Sequence, residues 1–388
     1  VKNKSSISKV LPVLFGFFIM GLVDLVGIAT NYVKLDFALS DTLANMLPMT
    51  LFLWFAILSV PTGILMNKLG RKPTVIISMA ISMLAMLLPL VSYTFPMILI
   101  AFGLLGIGNT IIQVSLNPLL TNVVRGERLT SSLTLGQFIK AIAAFLGPVI
   151  AGVAAGSFGN WKLVFLFFAV ITVISGLWLQ LTSIEKEQVN QASSSFASSF
   201  GLLKDKTIRM LFMAIVFVVG VDVGLNTTIP KFLMDRCGIL LGQAGLGTSL
   251  YFVARTVGTF IGAILLVKLS ERKFFIMSML VAIPSLVVML LSDNLWSIST
   301  LIFIVGLAVA NVFSIIFSAA LKKLPEQANE ISGLMIMGVA GGAVLPLIMG
   351  ITADLFGQTA GMAIILIAFS YLLFSAFKLK ENQARQIS

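Results

Sequence analysis

Four ionisable side chains lie inside long apolar stretches of the sequence: Asp24, Lys140, Asp222 and Arg255. At the centre of a membrane helix each costs at least about 2.5–3.5 kcal/mol, so such groups normally face a cavity or a partner. A carboxylate there can accept hydrogen bonds or carry a proton, and a lysine can neutralise it. Arg255 is too basic to release its proton, so packing or pairing suits it, with Asp222 as the natural partner. Asp24 and Lys140 have opposite signs and fall about 21 Å and about 15 Å along their stretches. They are expected to meet and to offset each other's desolvation. Protonating Asp24 would then free the Lys140 ammonium for a ligand oxygen. The competing reading is a static ion pair that only ties two helices together.

The elements that position these residues follow from composition. Of 388 residues, 58% are apolar and 11% are charged, and the mean hydropathy is +1.06. An ordinary soluble domain carries about 25% charged residues. Only a bilayer offers enough non-aqueous surface for this chain. There is no histidine and a single cysteine, Cys237. Imidazole chemistry, internal disulfides and zinc clusters are thereby excluded. No phosphate-binding loop of the G-x-x-x-x-G-K-[ST] type occurs, which argues against ATP-driven pumping. No catalytic residue, metal or cofactor is expected, and the chain does not read as an enzyme.

Twelve apolar runs are long enough to cross a bilayer: 10–32, 45–66, 74–93, 96–121, 130–156, 161–182, 208–233, 243–268, 273–292, 295–321, 328–355 and 358–377. The polar stretch 1–9 has no small-residue cleavage site, so no removable signal peptide is expected. With the N-terminus in the cytoplasm, 20 of the 26 Lys and Arg residues fall on cytoplasmic segments, among them Lys68, Arg71, Lys72, Arg125, Arg128, Lys322 and Lys323. Lys34, Lys162, Lys231 and Arg236 fall outside. The positive-inside rule then puts both termini in the cytoplasm of a multi-pass inner-membrane protein. The net charge of +11 reports this topology and contact with anionic lipid, not a nucleic-acid partner.

The chain repeats itself. A shift of about 198 residues brings Gly21-Leu22-Val23-Asp24 onto Gly220-Val221-Asp222, and Phe158-Gly159 onto Phe356-Gly357. The polar linker 183–206, with its Ser-rich stretch 192–199, separates an N-terminal six-helix bundle (1–182) from a C-terminal one (207–388). The expected fold is an all-α membrane protein of twelve transmembrane helices in two pseudo-symmetric six-helix bundles.

Two sets of motifs extend this reading. Gly63-Ile-Leu-Met-Asn67-Lys68-Leu-Gly70-Arg71-Lys72 resembles the cytoplasmic signature G-x-x-x-D-[RK]-x-G-R-[RK] of the major facilitator superfamily. Gly63, Asn67, Gly70 and Arg71 are therefore expected to form a cytoplasmic gate, its charge latch weakened by Asn67 in place of Asp. The matching stretch Gly262 to Lys273 is degenerate. Gln113-Val-Ser-Leu-Asn117-Pro118, Leu133-Thr-Leu135-Gly-Gln137, Arg255-Thr-Val-Gly258, Asn311-Val-Phe-Ser314 and Gly341-Gly342-Ala343-Val344-Leu345-Pro346 follow in order. Together they resemble the fucose–proton symporter family, which carries neutral monosaccharides.

The resemblance implies a monomeric secondary transporter that imports a small sugar with protons by alternating access, the substrate lying between the halves. Sodium stays open as the coupling ion. In the family an acid in span 1 binds sugar or proton, matched by Asp24, and a Glu in span 7 is matched by Asp222. The family's coupling Glu in span 4 is Gln113 here, and its sugar-contacting Asn in span 5 is Lys140. One acid is lost and one base gained. That exchange supports an alternative cargo, an acidic sugar of uronate or sialic acid type neutralised by Lys140. Asp24, Lys140 and Asp222 are the expected proton-coupling set. Gln113, Asn117, Gln137, Asn226 and Asn311 would give amide contacts to the sugar. Trp54 and Tyr251 would supply an aromatic face for the ring. For each amide the competing role is an interhelical hydrogen bond, about 0.6 kcal/mol on average. The pairs Gly152/Gly156 and Gly258/Gly262 are expected to serve close helix packing, and Gly341-Gly342 with Pro346 to let span 11 bend.

Overall fold

A computed structural model describes residues 7–39, 41–124, 128–187, 196–239 and 241–379. Arg125 and the first part of the Ser-rich stretch lie outside the described residues. Twelve helices are long and apolar enough to cross a membrane: Ile7–Thr30, Met46–Leu69, Arg71–Val91, Phe95–Val123, Arg128–Phe158, Leu163–Leu181, Lys206–Cys237, Leu246–Leu265, Glu271–Leu291, Leu295–Lys323, Pro325–Phe356 and Gln358–Lys378. They are spans 1 to 12 below. Among the described residues there is no strand, as expected where hydrocarbon leaves backbone groups no partner but their own helix.

Several helices run past their apolar cores because their ends are capped. Span 7 starts where the Asp205 carboxylate accepts hydrogen bonds from the Thr207 and Ile208 amides at 2.7 and 3.0 Å. It ends at Gly238, whose φ of +64° suits glycine. Spans 2 and 3 are separated by Gly70 alone, at φ +93°. A side chain would be strained there.

Three spans are interrupted. Span 1 tightens into a 3-10 turn at Leu22–Asp24 between Ile7–Gly21 and Leu25–Asp36. Span 10 breaks between Val309 and Val312, and span 11 has a 3-10 turn at Gly338–Ala340. The interruption of span 11 thus precedes the glycine pair expected to bend it. Gly341 is instead a contact point, since a Cβ there would stand 2.3 Å from the Val216 carbonyl oxygen.

Two compact units result. One contains residues 1–129, 135–202 and 324–337; the other contains 130–134, 203–323 and 338–388. They differ from a plain division at the linker in two short segments, 130–134 and 324–337. The end of the linker is helical, at Phe196–Gly201, and this helix packs on Ala328–Met337 and on span 2.

Candidate functional site

In the first unit, span 5 is the seat of span 1. A Cβ on Gly136 would stand 2.8 Å from the Phe17 ring, and one on Gly21 would stand 2.4 Å from the Lys140 carbonyl oxygen. Two turns further along span 5, Gly147 faces Leu25. Residues 17 and 21 run in step with 136 and 140, and Leu25 follows on the same side toward Gly147, so the two helices are parallel and in close contact. The sequence GFFIMGLVDL allows this approach because Gly21 removes the side chain where the helices touch. The 3-10 turn begins directly after it. Asp24 lies in that turn and is exposed; Lys140 is half-buried one turn away from it along the paired register.

Span 4 supplies the amides of this unit. Gln113 and Asn117 are buried, and the Asn117 amide donates to the Gln113 carbonyl at 2.7 Å. Its Oδ1 has no hydrogen-bond partner among the described residues. Gln137, on span 5, is half-buried. Trp54 lies across Gly103 and Gly106 of span 4, its Cδ1 2.9 Å from where a Gly106 Cβ would stand. The Trp54 Nε1 is buried with no partner among the described residues.

In the second unit the repeat mate of Asp24 is differently held. Asp222 accepts from the Tyr251 hydroxyl at 2.9 Å and from Arg255 Nη1 at 2.5 Å. Both members of the ion pair are about three-quarters buried. Tyr251 is fully buried. Its ring is enclosed by protein, so the sugar-stacking role expected of it is replaced by an anchoring one. Asn311 is corrected in the same way. It is 1% exposed, donates to the Gly258 carbonyl at 2.9 Å and fills the space that a Cβ on Gly262 would need. It is a packing residue at the break of span 10. Asn226 is half-buried, and its carbonyl accepts from Thr248. The pair Gly258/Gly262 thus packs closely, whereas a Cβ on Gly152 or Gly156 would meet nothing within 4 Å. Close packing is not what those two glycines do.

At the basic end of the first unit, the four residues of the expected gate come together. A Cβ on Gly63 would stand 2.8 Å from the Asn329 carbonyl oxygen. Asn67 donates its amide to Glu330 Oε1 and accepts from Asn329 Nδ2 at 2.6 Å. Arg71 donates through Nε to Asn329 Oδ1 at 2.7 Å and through Nη1 to Pro118 O, Thr121 Oγ1 and Asn122 Oδ1. Glu187, from the linker, accepts from the Arg71 backbone amide and from Asn122. Asn329, Glu330, Asn122 and Glu187 were not singled out in the sequence. Their one available signal is a run of polar residues directly beside an apolar core. The second unit has its own polar knot, in which Glu271 accepts from Lys322 and Thr130, and the Thr130 and Ser318 hydroxyls share a hydrogen bond. The degenerate stretch Gly262 to Lys273 hid it.

At the opposite end of the first unit, Asp36 Oδ2 accepts from the Tyr93 hydroxyl and from Trp161 Nε1 at 2.9 Å. Lys162 Nζ sits 4.2 Å from the Tyr93 ring centre, and Tyr32 stacks on Trp161. This clasp joins the end of span 1 to the two connections that precede spans 4 and 6. Burial, then the Asp36 carboxylate, pushes the Tyr93 hydroxyl well above its usual pKa.

Comparison with known proteins accords with this architecture. The Major Facilitator Superfamily profile matches residues 13–335 and also 211–386. The chain belongs to the major facilitator superfamily. A glucose/galactose transporter of Brucella abortus is 24% identical over 381 residues, covering 92% of this chain and 90% of the relative. A putative glucose/galactose transporter of Helicobacter pylori is also 24% identical, over 394 residues, covering 93% and 94%. Among solved structures, the E. coli fucose:proton symporter FucP matches with a TM-score of 0.86 at 17% identity, covering 98% of this chain and 100% of that one. The superfamily member described here is thus a multi-pass membrane transporter and not an enzyme.

Proposed function

We propose that this chain imports a small neutral monosaccharide together with protons across the cytoplasmic membrane, as a monomer working by alternating access. Both termini and the basic ends of the bundles face the cytoplasm. The observation that carries the reading is Asp24, an acid in the interrupted turn of span 1, one turn past the contact of Gly21 with Lys140. Two relatives of nearly equal length named as glucose/galactose transporters support the cargo.

The cycle follows from charge. With Asp24 protonated, the Lys140 ammonium donates to a sugar oxygen, and the loaded carrier crosses with the one positive charge that the proton adds. Release of sugar and proton inside restores the Asp24 carboxylate, which Lys140 then balances during the empty return. Asp222, held by Tyr251 and Arg255, stabilises the second bundle and lends a carboxylate edge to sugar hydroxyls. Gln113, Gln137 and Asn226 are the amides kept as sugar contacts, and Trp54 the aromatic one.

Purified protein in liposomes, acid outside and alkaline inside, should accumulate labelled D-glucose or D-galactose, and a protonophore should abolish the accumulation. Uptake indifferent to the proton gradient but driven by sodium would overturn the coupling ion. Absence of both uptake and counterflow for these sugars would overturn the cargo. A second reading rests on Lys140, a half-buried cation where a neutral cargo needs none. Under it, only uronates or sialic acids raise the melting temperature, and Lys140→Gln removes that shift.

A further inference from the structure

Asn109 of span 4 is 3% exposed, and its Nδ2 has no hydrogen-bond partner among the described residues. A buried amide donor left unpaired costs free energy, and within hydrocarbon no water is at hand to relieve it. The direction of the group follows from helix geometry. Leu116, two turns along span 4, packs where a Cβ on Gly16 of span 1 would stand 2.8 Å from its Cδ1. Seven residues return to nearly the same helix face, so Asn109 also faces span 1. Spans 1 and 4 run in opposite directions. Seven residues on from Gly16, span 1 has reached Leu22–Asp24, the 3-10 turn, and span 4 touches that segment. The unpaired donor therefore lies level with the break that carries Asp24.

We propose that Asn109 is a substrate-specificity residue of this site: its Nδ2 donates to one sugar hydroxyl whose own proton goes to the Asp24 carboxyl group. A hydroxyl is the simplest group that accepts and donates at once, and an amide N–H beside a carboxyl oxygen is its complement. The donor is left unpaired in the empty protein because its partner arrives with the cargo. The inference rests on the sugar reading above, and adds which group reads which feature of the sugar.

The test is a cycle of protein and ligand changes. D-glucose, D-galactose and the monodeoxy analogues of the tighter binder are titrated against wild type, Asn109→Leu and Asn109→Asp. For wild type, one deoxy position should weaken binding about tenfold relative to the parent sugar, a hydrogen bond's worth. For Asn109→Leu, the parent sugar should already bind about tenfold more weakly, and that same deoxy position should cost nothing further. Asn109→Leu, close in volume, should melt no lower than wild type without sugar, because an unpaired amide is removed. Equal losses at every deoxy position in wild type and both variants would overturn the proposal while leaving the sugar reading intact. A fall in the sugar-free melting temperature with unchanged discrimination would make Asn109 a packing residue and also overturn it. Failure of wild type to bind any of these sugars would overturn both.

Discussion

At position 67 an amide stands where the superfamily signature has a carboxylate, and its neighbours are matched to the amide. Asn67 donates to Glu330 and accepts from Asn329, two bonds that no single ionised carboxylate could make. Asn67→Asp would set two carboxylates against each other in a half-buried site. The expected cost is about 1–3 kcal/mol, read as a lower melting temperature at neutral pH, and Glu330→Gln on top of it should restore most of the loss. An Asn67→Asp protein as stable as wild type would show that this contact is not what holds the Ala328–Met337 helix within the first unit. The lost charge at position 67 is visible in the sequence and suggests a weakened latch, whereas the partner 263 residues away is not visible there. Tyr251 and Asn311 were misassigned for a related reason. Residue type says that a ring or amide is present, whereas its partners in the fold decide what it does: Tyr251 donates to Asp222 and Asn311 to the Gly258 carbonyl.

At the scale of elements, length and apolarity sufficed to find all twelve spans, since a bilayer crossing needs about 20 residues and little else. The interruptions were not legible. Leu22-Val23-Asp24 has ordinary helix formers, and span 1 departs from the α-helix where Gly21 presses on the Lys140 carbonyl. The clasp at the far end of span 1 carries a pH prediction. Tyr93 has its pKa raised by burial and by Asp36, so the folded protein keeps this proton more firmly than the unfolded chain. Stability from the neutral hydroxyl is then complete below the unfolded value of about 10 and is lost as pH rises from there toward the folded one. Between pH 9 and pH 11 the wild-type melting temperature should fall further than that of Tyr93→Phe, which has no proton to lose. Parallel curves for the two proteins would contradict this account.

For the whole molecule, the repeat in the sequence foretold two six-helix bundles but not the composition of the compact units, in which 130–134 and 324–337 each group with spans of the other repeat. Hydropathy measures the length of a helix and is silent about which neighbours its two ends choose. The repeat also made Asp24 and Asp222 look equivalent. In the fold, Asp222 is fastened by Tyr251 and Arg255 on an unbroken helix, and Asp24 sits in a 3-10 turn that touches span 4. Two similar sequence positions thereby stand in different settings, one in a largely buried ion pair on an unbroken helix and one at an interruption. The most direct test replaces Asp24 by Asn and compares two transport modes in the same liposomes. Asp24→Asn should still exchange labelled sugar in counterflow but no longer accumulate it against a gradient when a proton gradient is imposed. Gradient-driven accumulation that survives in Asp24→Asn would contradict the account.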